Sequence, residues 1–403
     1  MSRRRTFITG IGVICAIGKD FDTFSHGLSS GMNGAKKIAA FNPEGIRGIY
    51  GCEVKDYDPR AYFSPKELRR MDRGSQFVLL ATRQAMASSG LDVALCDKER
   101  CGVSLGSTLG GMVNATEYYR RLKKRHKVYA SLLMDHPLYT AGSRVCIEYG
   151  FLGTNMATST ACSSANVAIG YGTEMIRNDE ADVVIVGGYD TMAELTVAGF
   201  NVLRNVSPDY CKPFDKKRQG LVLGEGAGIL ILEAENHCHA RGGQPYAELL
   251  GYGMSSDAYH MTALDVTGRG PALAITRALD DSGVDKEAIN YINAHGTGTS
   301  HNDAVETKAI KRVFGEQAYS IPVSSTKSMH GHTLGAAGGI EAVSVVAALQ
   351  GGFIPPTINY ETPDPKCDLD YVPNKSRQYA INVALSNNCG FGGNNCSIVI
   401  GRI

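Results

Sequence analysis

The sequence lacks the features that mark several large classes of protein. Its 41 Lys and Arg almost balance its 40 Asp and Glu, so the formal net charge is +1 and no bulk attraction to nucleic acid is expected. By the sequence pattern, no apolar run reaches membrane-spanning length. The eleven cysteines, an odd number, include no CxxC pair and no histidine spacing typical of zinc. We therefore expect a soluble cytoplasmic protein with reduced thiols and no metal, membrane or nucleic-acid partner.

The N-terminus also lacks the uninterrupted apolar core of a signal peptide. Residues 1–10 are basic and then apolar, but Gly10 and Gly12 interrupt the apolar run, which predicts a first strand. Paired glycines after a strand occur in dinucleotide sites. Here the third glycine is not at the required spacing, so such a site is not expected.

The composition is ordinary for a soluble α/β enzyme. The chain has 403 residues, of which 43% are hydrophobic and 20% charged, which suits two domains or one large duplicated domain. Strand patterns alternate with helical patterns in two comparable runs, which predicts parallel sheets between helices. The break falls near residue 250 without a low-complexity linker. We expect two halves, 1–250 and 251–403, that share one packed body.

One stretch of small residues has the form expected around a nucleophile. Residues 155–165 predict a short strand that turns abruptly into a helix, with Cys162 at the bend. The positive end of a helix dipole and free backbone N–H groups both favour a thiolate. The same pattern is compatible with a buried cysteine that acts only as a small apolar residue. Base partners elsewhere in the chain decide between these interpretations.

Three stretches of the second half supply such partners. His295 follows a predicted strand, and the glycines after it allow a backbone or ligand to come close. His332 lies just before an almost wholly apolar helix, where burial disfavours a cationic imidazole and favours a neutral donor. The Gly-rich loop 387–394 carries N–H groups that could hold an oxyanion. A helix-terminal thiolate, two imidazoles and such a loop together predict acyl transfer through a covalent thioester.

Four motifs occur in order around these residues: Thr160-Ala-Cys-Ser-Ser164, Asn293-Ala-His-Gly-Thr297, Lys327-Ser-Met-His-Gly-His332 and Gly390-Phe-Gly-Gly393. Together they resemble the β-ketoacyl-acyl-carrier-protein synthases, most of all the elongating type II ketosynthases. The resemblance covers essentially the whole chain. It implies an α/β, thiolase-like fold with two pseudo-symmetric halves in a five-layered αβαβα arrangement, and a buried dimer interface.

The resemblance also implies a decarboxylative Claisen condensation. Cys162 would take the acyl chain from the phosphopantetheine of an acyl carrier protein, and no other cofactor is implied. His295 and His332 would bind the malonyl thioester and stabilise the enolate that forms as carbon dioxide leaves. The N–H groups of Cys162 and Phe391 would form an oxyanion hole, and Phe391 would also act as a gate. Lys327 would orient His332, and Glu306 would pair with Lys327 or order water. Thr297 and Thr299 would contact the pantetheine arm, Leu109 would border the acyl pocket, and His330 would be structural or exposed.

Carrier proteins are strongly acidic, so a basic docking surface is expected on their partner enzymes. The positions that match family docking residues are Lys66, Arg69, Arg70 and Arg204. The densest basic run includes Arg120, Arg121, Lys123, Lys124 and Arg125. That run either adds to the docking surface or is only a solvated helix face.

Two departures from housekeeping fatty-acid enzymes predict a specialised substrate. Cys389 stands where those enzymes usually carry an aromatic residue, and the segment 123–145, which lines the dimer interface and the end of the acyl tunnel in relatives, is also unlike theirs. Both changes fall where relatives select the length and polarity of the acyl intermediate. They favour the active subunit of a type II polyketide or polyene system, in a heterodimer with an inactive chain-length partner. The alternative is a homodimeric fatty-acid elongation synthase.

Two other classes share the implied fold. Chain-length partners have lost the nucleophile, so Cys162 and the two histidines argue against a non-catalytic subunit. Thiolases place a second cysteine in a terminal Gly-rich loop, and this chain has Cys389 and Cys396 there. The segment 327–332 argues against that class.

Overall fold

Strands and helices alternate along most of the chain. The computed structural model describes residues 3–403, so Met1 and Ser2 lie outside the described residues. The strands are β1 Thr6–Cys15, β2 Lys36–Lys37, β3 Tyr50–Gly51, β4 Cys101–Gly106, β5 Asn155–Thr158, β6 Val183–Asp190, β7 Gly226–Ala234, β8 Ala247–Ser256, β9 Tyr291–Asn293, β10 Val323–Ser324, β11 Phe353–Ile354, β12 Arg377–Gln378, β13 Val383–Gly390 and β14 Asn394–Gly401. The helices are α1 Phe21–Ser30, α2 Pro65–Leu68, α3 Arg73–Ser89, α4 Met112–Lys123, α5 Thr140–Tyr149, α6 Ser164–Arg177, α7 Glu194–Val202, α8 Glu235–Ala240, α9 Arg269–Ser282, α10 Asn302–Phe314, α11 Lys327–His330 and α12 Ala337–Gly351.

Two five-stranded sheets repeat one topology. The first has the order β5-β4-β6-β7-β1, and the second has the order β10-β9-β13-β14-β8. In each sheet the three outer strands are parallel and the last two are antiparallel to their neighbours. The sheets join through a short antiparallel pairing of β1 with β8. The pseudo-symmetric halves are confirmed. The parallel sheets that the sequence pattern predicts are only partly right, because β1, β7, β8 and β14 pair as antiparallel neighbours.

Helices cover both faces of both sheets. α3 packs on the outer face of the first sheet, and α9 packs on the outer face of the second. α6 and α12 lie between the sheets and contact strands of both. Buried aliphatic residues fill each interface, as expected where a sheet face must be covered. This arrangement gives the five layers αβαβα.

The central layer contains the most apolar helix of the chain. Residues 334–351 are long and apolar enough to cross a membrane, which corrects the sequence prediction that no such run exists. This window is 89% buried inside the protein. The helix is therefore apolar because sheets surround it on both sides.

Several boundaries differ from the sequence prediction. The residue spacing over 64–88 predicts one helical region, but the structure has α2 and then α3, which Asp72 caps by accepting from the N–H of Gly74. The apolar helix expected from residue 333 begins as the 3-10 turn Leu334–Ala336 before α12. The division at residue 250 stays a proposal. β8 spans residue 250, and the second half of the repeated topology begins after the loop 241–246.

Candidate active site

A strained bend presents the thiol. Cys162 lies between β5 and α6, and Ala161 before it has φ 54, a left-handed value that costs a non-glycine residue energy. The hydroxyl of Ser164 donates to the carbonyl of Ala161, and the N–H of Thr160 donates to the Ser164 hydroxyl. These bonds hold the abrupt turn that the sequence predicted. Cys162 is consequently fixed one residue before Ser163, which is the N-cap of α6.

His332 contacts the thiol directly. Its Nε2 lies 3.0 Å from Cys162 Sγ, and the N–H of Leu334 donates to its Nδ1 at 3.3 Å. Because Nδ1 accepts, a neutral ring carries its proton on Nε2 and points it at the sulfur. Burial, followed by the charge of Lys327, lowers the pKa of His332 well below its usual range, so the ring is neutral. Nε2–H of His332 is therefore placed to donate a hydrogen bond to the sulfur of Cys162.

Opposed effects act on the ionisation of Cys162. Burial raises the pKa of its thiol to about 12, which corrects the expectation of a resting thiolate. The charge of Lys327 and the N–H groups of Phe391 and Cys162 lower that pKa. The same two N–H groups were predicted to form an oxyanion hole, and both act on the sulfur. The donors around Cys162 are thus arranged for negative charge that develops during the reaction.

His295 lies beside this pair. Its ring meets the ring of His332 edge to face, with the centroids 5.3 Å apart. Burial, followed by the charge of Lys327, also lowers the pKa of His295 well below its usual range. Glu306 accepts hydrogen bonds from the N–H groups of His295 and Gly296 at 2.7 and 2.8 Å. Glu306 therefore holds the backbone of the histidine loop.

The buried ammonium of Lys327 has a different partner from the predicted one. It pairs with Glu341 on α12, and both side chains have 0% exposure. The second oxygen of Glu341 accepts from the side-chain amide of Asn388 at 2.7 Å. Glu306 accepts from backbone N–H groups instead, so of its two expected roles the pairing with Lys327 is wrong, and the ordering of water stays a prediction. The sequence offered one signal for Glu341, which is a lone acid within an otherwise apolar helix.

Two cavities meet at Cys162. One, of about 290 Å³, is lined mainly by apolar groups. The other, of about 300 Å³, leads past both histidines. Phe391 borders both cavities and packs on Phe200 at a centroid distance of 5.5 Å. The first cavity is lined by Thr108, Ala161, Cys162, Thr196, Gly199, Phe200, Leu203, Leu334 and Phe391.

The predicted lining residues divide between these cavities. Thr297 and Thr299 line the histidine channel, and their hydroxyls lie 2.9 Å apart. Cys389 also lines that channel and is not among the residues that line the apolar cavity. Leu109 lines neither cavity. It packs in the adjoining apolar cluster with Leu334, and its neighbour Thr108 borders the apolar cavity instead.

Cys162, His295 and His332 could also be considered as metal ligands. One donor atom of each lies within 4.8 Å of the others, and zinc binds thiolates and imidazoles. The charge of Lys327 acts on both imidazoles, and the same charge opposes a cation between them. The arrangement favours a nucleophile with two neutral donors.

His330 is not part of this constellation. It is buried, its Nδ1 contacts the carbonyl of Gly331, and its Nε2 contacts the hydroxyl of Thr326. Burial lowers its pKa to about 3. Its structural place agrees with the expectation.

The predicted docking residues are all on the surface. Lys66, Arg69 and Arg70 lie on or just after the short helix α2, and Arg204 follows α7. In the basic run, Arg120 pairs with Glu117 and Glu194, and Arg121 pairs with Glu117. Part of that run is thus neutralised within the molecule.

Two family models match this sequence. Residues 3–237 match the beta-ketoacyl synthase N-terminal domain, and residues 246–361 match the C-terminal domain. Among curated proteins, the 3-oxoacyl-[acyl-carrier-protein] synthase 2 of Synechocystis sp. is 42% identical over 99% of this chain and 98% of its own. The protein of the same name from Coxiella burnetii is 39% identical over the full length of both chains.

Solved structures agree with these matches. The ishigamide ketosynthase/chain length factor has a TM-score of 0.95 and 36% identity over the full length of both chains. AntDE:AntF, a type II PKS acyl-carrier protein in complex with its ketosynthase bound to the hexaketide, has a TM-score of 0.93 and 34% identity, also over both full chains. With both halves matched and a thiol and two imidazoles at the meeting point of two cavities, the chain belongs to the beta-ketoacyl synthase family.

Proposed function

We propose that this chain is the active ketosynthase subunit of a type II polyketide or polyene system. Its reaction is the decarboxylative Claisen condensation of malonyl-acyl-carrier protein with an acyl chain held on Cys162, so it is an acyltransferase. The observation that carries the proposal is the 3.0 Å contact of Cys162 with His332 at the meeting point of the two cavities. Acyl groups arrive on the phosphopantetheine of the carrier protein, and the reaction uses no separate cofactor.

The first half-reaction is thioester exchange. The sulfur of Cys162 attacks the carbonyl carbon of the acyl thioester, and the pantetheine sulfur leaves with the proton that Cys162 gave up. Nε2–H of His332, the positive end of α6 and the charge of Lys327 stabilise the thiolate. The acyl chain then extends into the apolar cavity beside Cys162.

The second half-reaction forms the carbon–carbon bond. The malonyl thioester enters the channel lined by His295 and His332, where neutral imidazole N–H groups stabilise the enolate as carbon dioxide leaves. The enolate carbon attacks the carbonyl of acyl-Cys162, and N–H groups of Cys162 and Phe391 hold the oxyanion. Collapse of this intermediate releases Cys162 as a thiolate and leaves the β-ketoacyl chain on the carrier protein.

The lining of the apolar cavity limits which kinds of acyl chain it can hold. Its lining is apolar apart from Cys162 and two threonines, Thr108 and Thr196. A polyketone chain would bury several carbonyl groups there with few hydrogen-bond donors, which is unfavourable. A saturated or polyene chain fits without that cost. We therefore favour polyene synthesis within the polyketide class.

Fatty-acid elongation is the second candidate. It is favoured by the 42% identity to the Synechocystis 3-oxoacyl-[acyl-carrier-protein] synthase 2. The apolar cavity fits a saturated chain equally well. The two candidates differ in the partner subunit and in the chemistry of the bound chain.

The proposal includes a second subunit of the same fold. The sheet ends at β5, whose outer edge has no neighbouring strand among the described residues. Large apolar side chains near this edge are exposed, including Tyr139, Ile147 and Leu152. We expect a homodimer or a heterodimer with a chain-length factor to cover them. A cytoplasmic location completes the proposal and is supported by eleven free cysteines.

Intact mass of the protein purified from its native host, with whatever co-purifies, tests the proposal. A second subunit of similar size without the cysteine, or a polyene adduct on Cys162, supports the polyketide-type system. A homodimer with a saturated acyl adduct on Cys162 shows fatty-acid elongation instead. If Cys162 accepts no acyl group from any acyl-carrier protein, the condensation itself is refuted.

A further inference from the structure

Asp190, the last residue of β6, has a buried carboxylate that the reaction described above does not use. Its exposure is 0%. The hydroxyl of Ser107 donates to it at 2.8 Å, and the N–H groups of Thr108, Leu109 and Gly335 donate at 3.0, 2.9 and 2.6 Å. Burial raises the pKa of this carboxyl to about 6, and the four uncharged donors partly offset that effect.

The donors come from two loops that both reach the reacting atoms. In the loop after β4, Thr108 lines the apolar cavity, and its hydroxyl donates to the carbonyl of Ala161 at 3.3 Å. In the turn before α12, Leu334 lines the same cavity and its N–H fixes the tautomer of His332. One carboxylate thus ties together the loop beside Cys162 and the turn that holds His332.

Both neighbourhoods are strained and closely packed. Ala161 and Leu334 each have φ 54, a left-handed conformation that persists only when surrounding bonds enforce it. A methyl group on Gly335 would lie 2.6 Å from the N atom of Thr108 and 2.8 Å from Oδ2 of Asp190. The loops therefore have little room to rearrange around the carboxylate.

We propose that Asp190 is a positioning residue that couples the shape of the acyl cavity to the contact between Cys162 and His332. An acyl chain that packs against Thr108 or Leu334 exerts force on the two loops that are hydrogen-bonded to Asp190. The longer the chain, the more the reaction depends on Asp190 to keep the sulfur and the imidazole in place. This inference rests on the proposed function of the site.

Asp190→Asn tests the proposal. The amide has the size of the carboxylate, but its Nδ2 would face N–H donors, so at least one loop loses its acceptor. The control is Glu233→Gln, which also removes a charge from a side chain of 0% exposure. Glu233 pairs with Arg241 and lies at the opposite end of the sheet, opposite Val183.

The measurement is single-turnover acylation of Cys162 in the full chain, followed by intact mass, from carrier protein that bears an acetyl or a decanoyl group. For Asp190→Asn we expect the maximal rate to fall about ten-fold with acetyl and about a hundred-fold with decanoyl, as for a small misplacement of reacting groups. The half-saturating concentration of carrier protein should stay within about two-fold, because docking lies elsewhere. Glu233→Gln should change the acylation rates with acetyl and with decanoyl by the same factor.

Thr108→Val keeps the test decisive if Asp190→Asn does not fold. It keeps Asp190 and removes only the hydroxyl bond to Ala161, so it should give a smaller loss with the same dependence on chain length. Equal losses for both chains in the variants that fold would overturn the coupling. Wild-type protein that takes up neither acyl group would refute the proposed function instead.

Discussion

At the scale of single residues, the tautomer of His332 makes a sharp prediction about Cys162. His332→Ala removes the donor from the developing thiolate, and a hydrogen bond to a charged group contributes about 1.5–3 kcal/mol. We therefore expect the alkylation of Cys162 by iodoacetamide at neutral pH to slow about ten-fold to a hundred-fold. His330→Ala, in the same segment but without contact to the sulfur, should leave the rate nearly unchanged. Equal rates in wild type and His332→Ala would contradict the donor role.

Glu306 gives a prediction about pH. Burial raises its pKa from an ordinary value near 4.5 to about 7. Between these values the folded chain binds a proton that the unfolded chain has released, so this group's contribution to the free energy of unfolding falls as pH rises. Glu306→Gln removes this titration. We expect the free energy of unfolding of the variant, relative to that of wild type, to rise between about pH 4.5 and about pH 7, measured by denaturant unfolding.

The same variant should damage catalysis. The amide NH2 of Gln would face the N–H of His295 or Gly296, so the histidine loop must shift. Release of carbon dioxide from malonyl-carrier protein should fall at least about ten-fold, because the enolate donor is misplaced. A variant with wild-type carbon dioxide release would show that Glu306 does not hold His295 in place.

At the scale of elements, α12 packs closely against the first sheet at a contact between two glycines. A methyl group on Gly339 of α12 would lie 2.4 Å from the carbonyl oxygen of Gly228 on β7. Gly339→Ala should therefore lower the free energy of unfolding by about 1–3 kcal/mol, as overpacking does. The matched control is Gly199→Ala in α7, where nothing lies within 4 Å of the added methyl. Its unfolding free energy should be unchanged or higher, since alanine is the better helix former.

The elements also show why the sequence prediction was only partly right. Hydrophobic period indicates where most strands and helices lie along the chain. The direction of β7 and β14 was missed, because a fully buried strand has the same apolar pattern whether its neighbour is parallel or antiparallel. The short α2 was merged with α3, because no apolar periodicity separates them.

At the scale of the whole molecule, the surface charge predicts how an acidic carrier protein docks. Lys66 and Arg70 are exposed on or after α2, whereas Arg120 is already paired with Glu117 and Glu194. Changing Lys66 and Arg70 to Glu should slow association with carrier protein about ten-fold at low salt, with a smaller effect at high salt. Arg120→Glu should have the smaller effect. The opposite ranking, measured by stopped-flow binding, would place the docking surface on α4.

The sequence by itself indicated the family and the three side chains, Cys162, His295 and His332, that the structure brings together. Glycines and small residues mark each of their loops locally, so neighbours in the chain suffice to indicate Cys162, His295 and His332. Only the tertiary structure decided the partner of Lys327, the place of Cys389 in the histidine channel and the hydrogen bonds from two loops to Asp190. These depend on contacts between residues far apart in sequence, such as Asp190 with Gly335. No local pattern encodes such a distance, because it arises only when the two sheets close around α6 and α12.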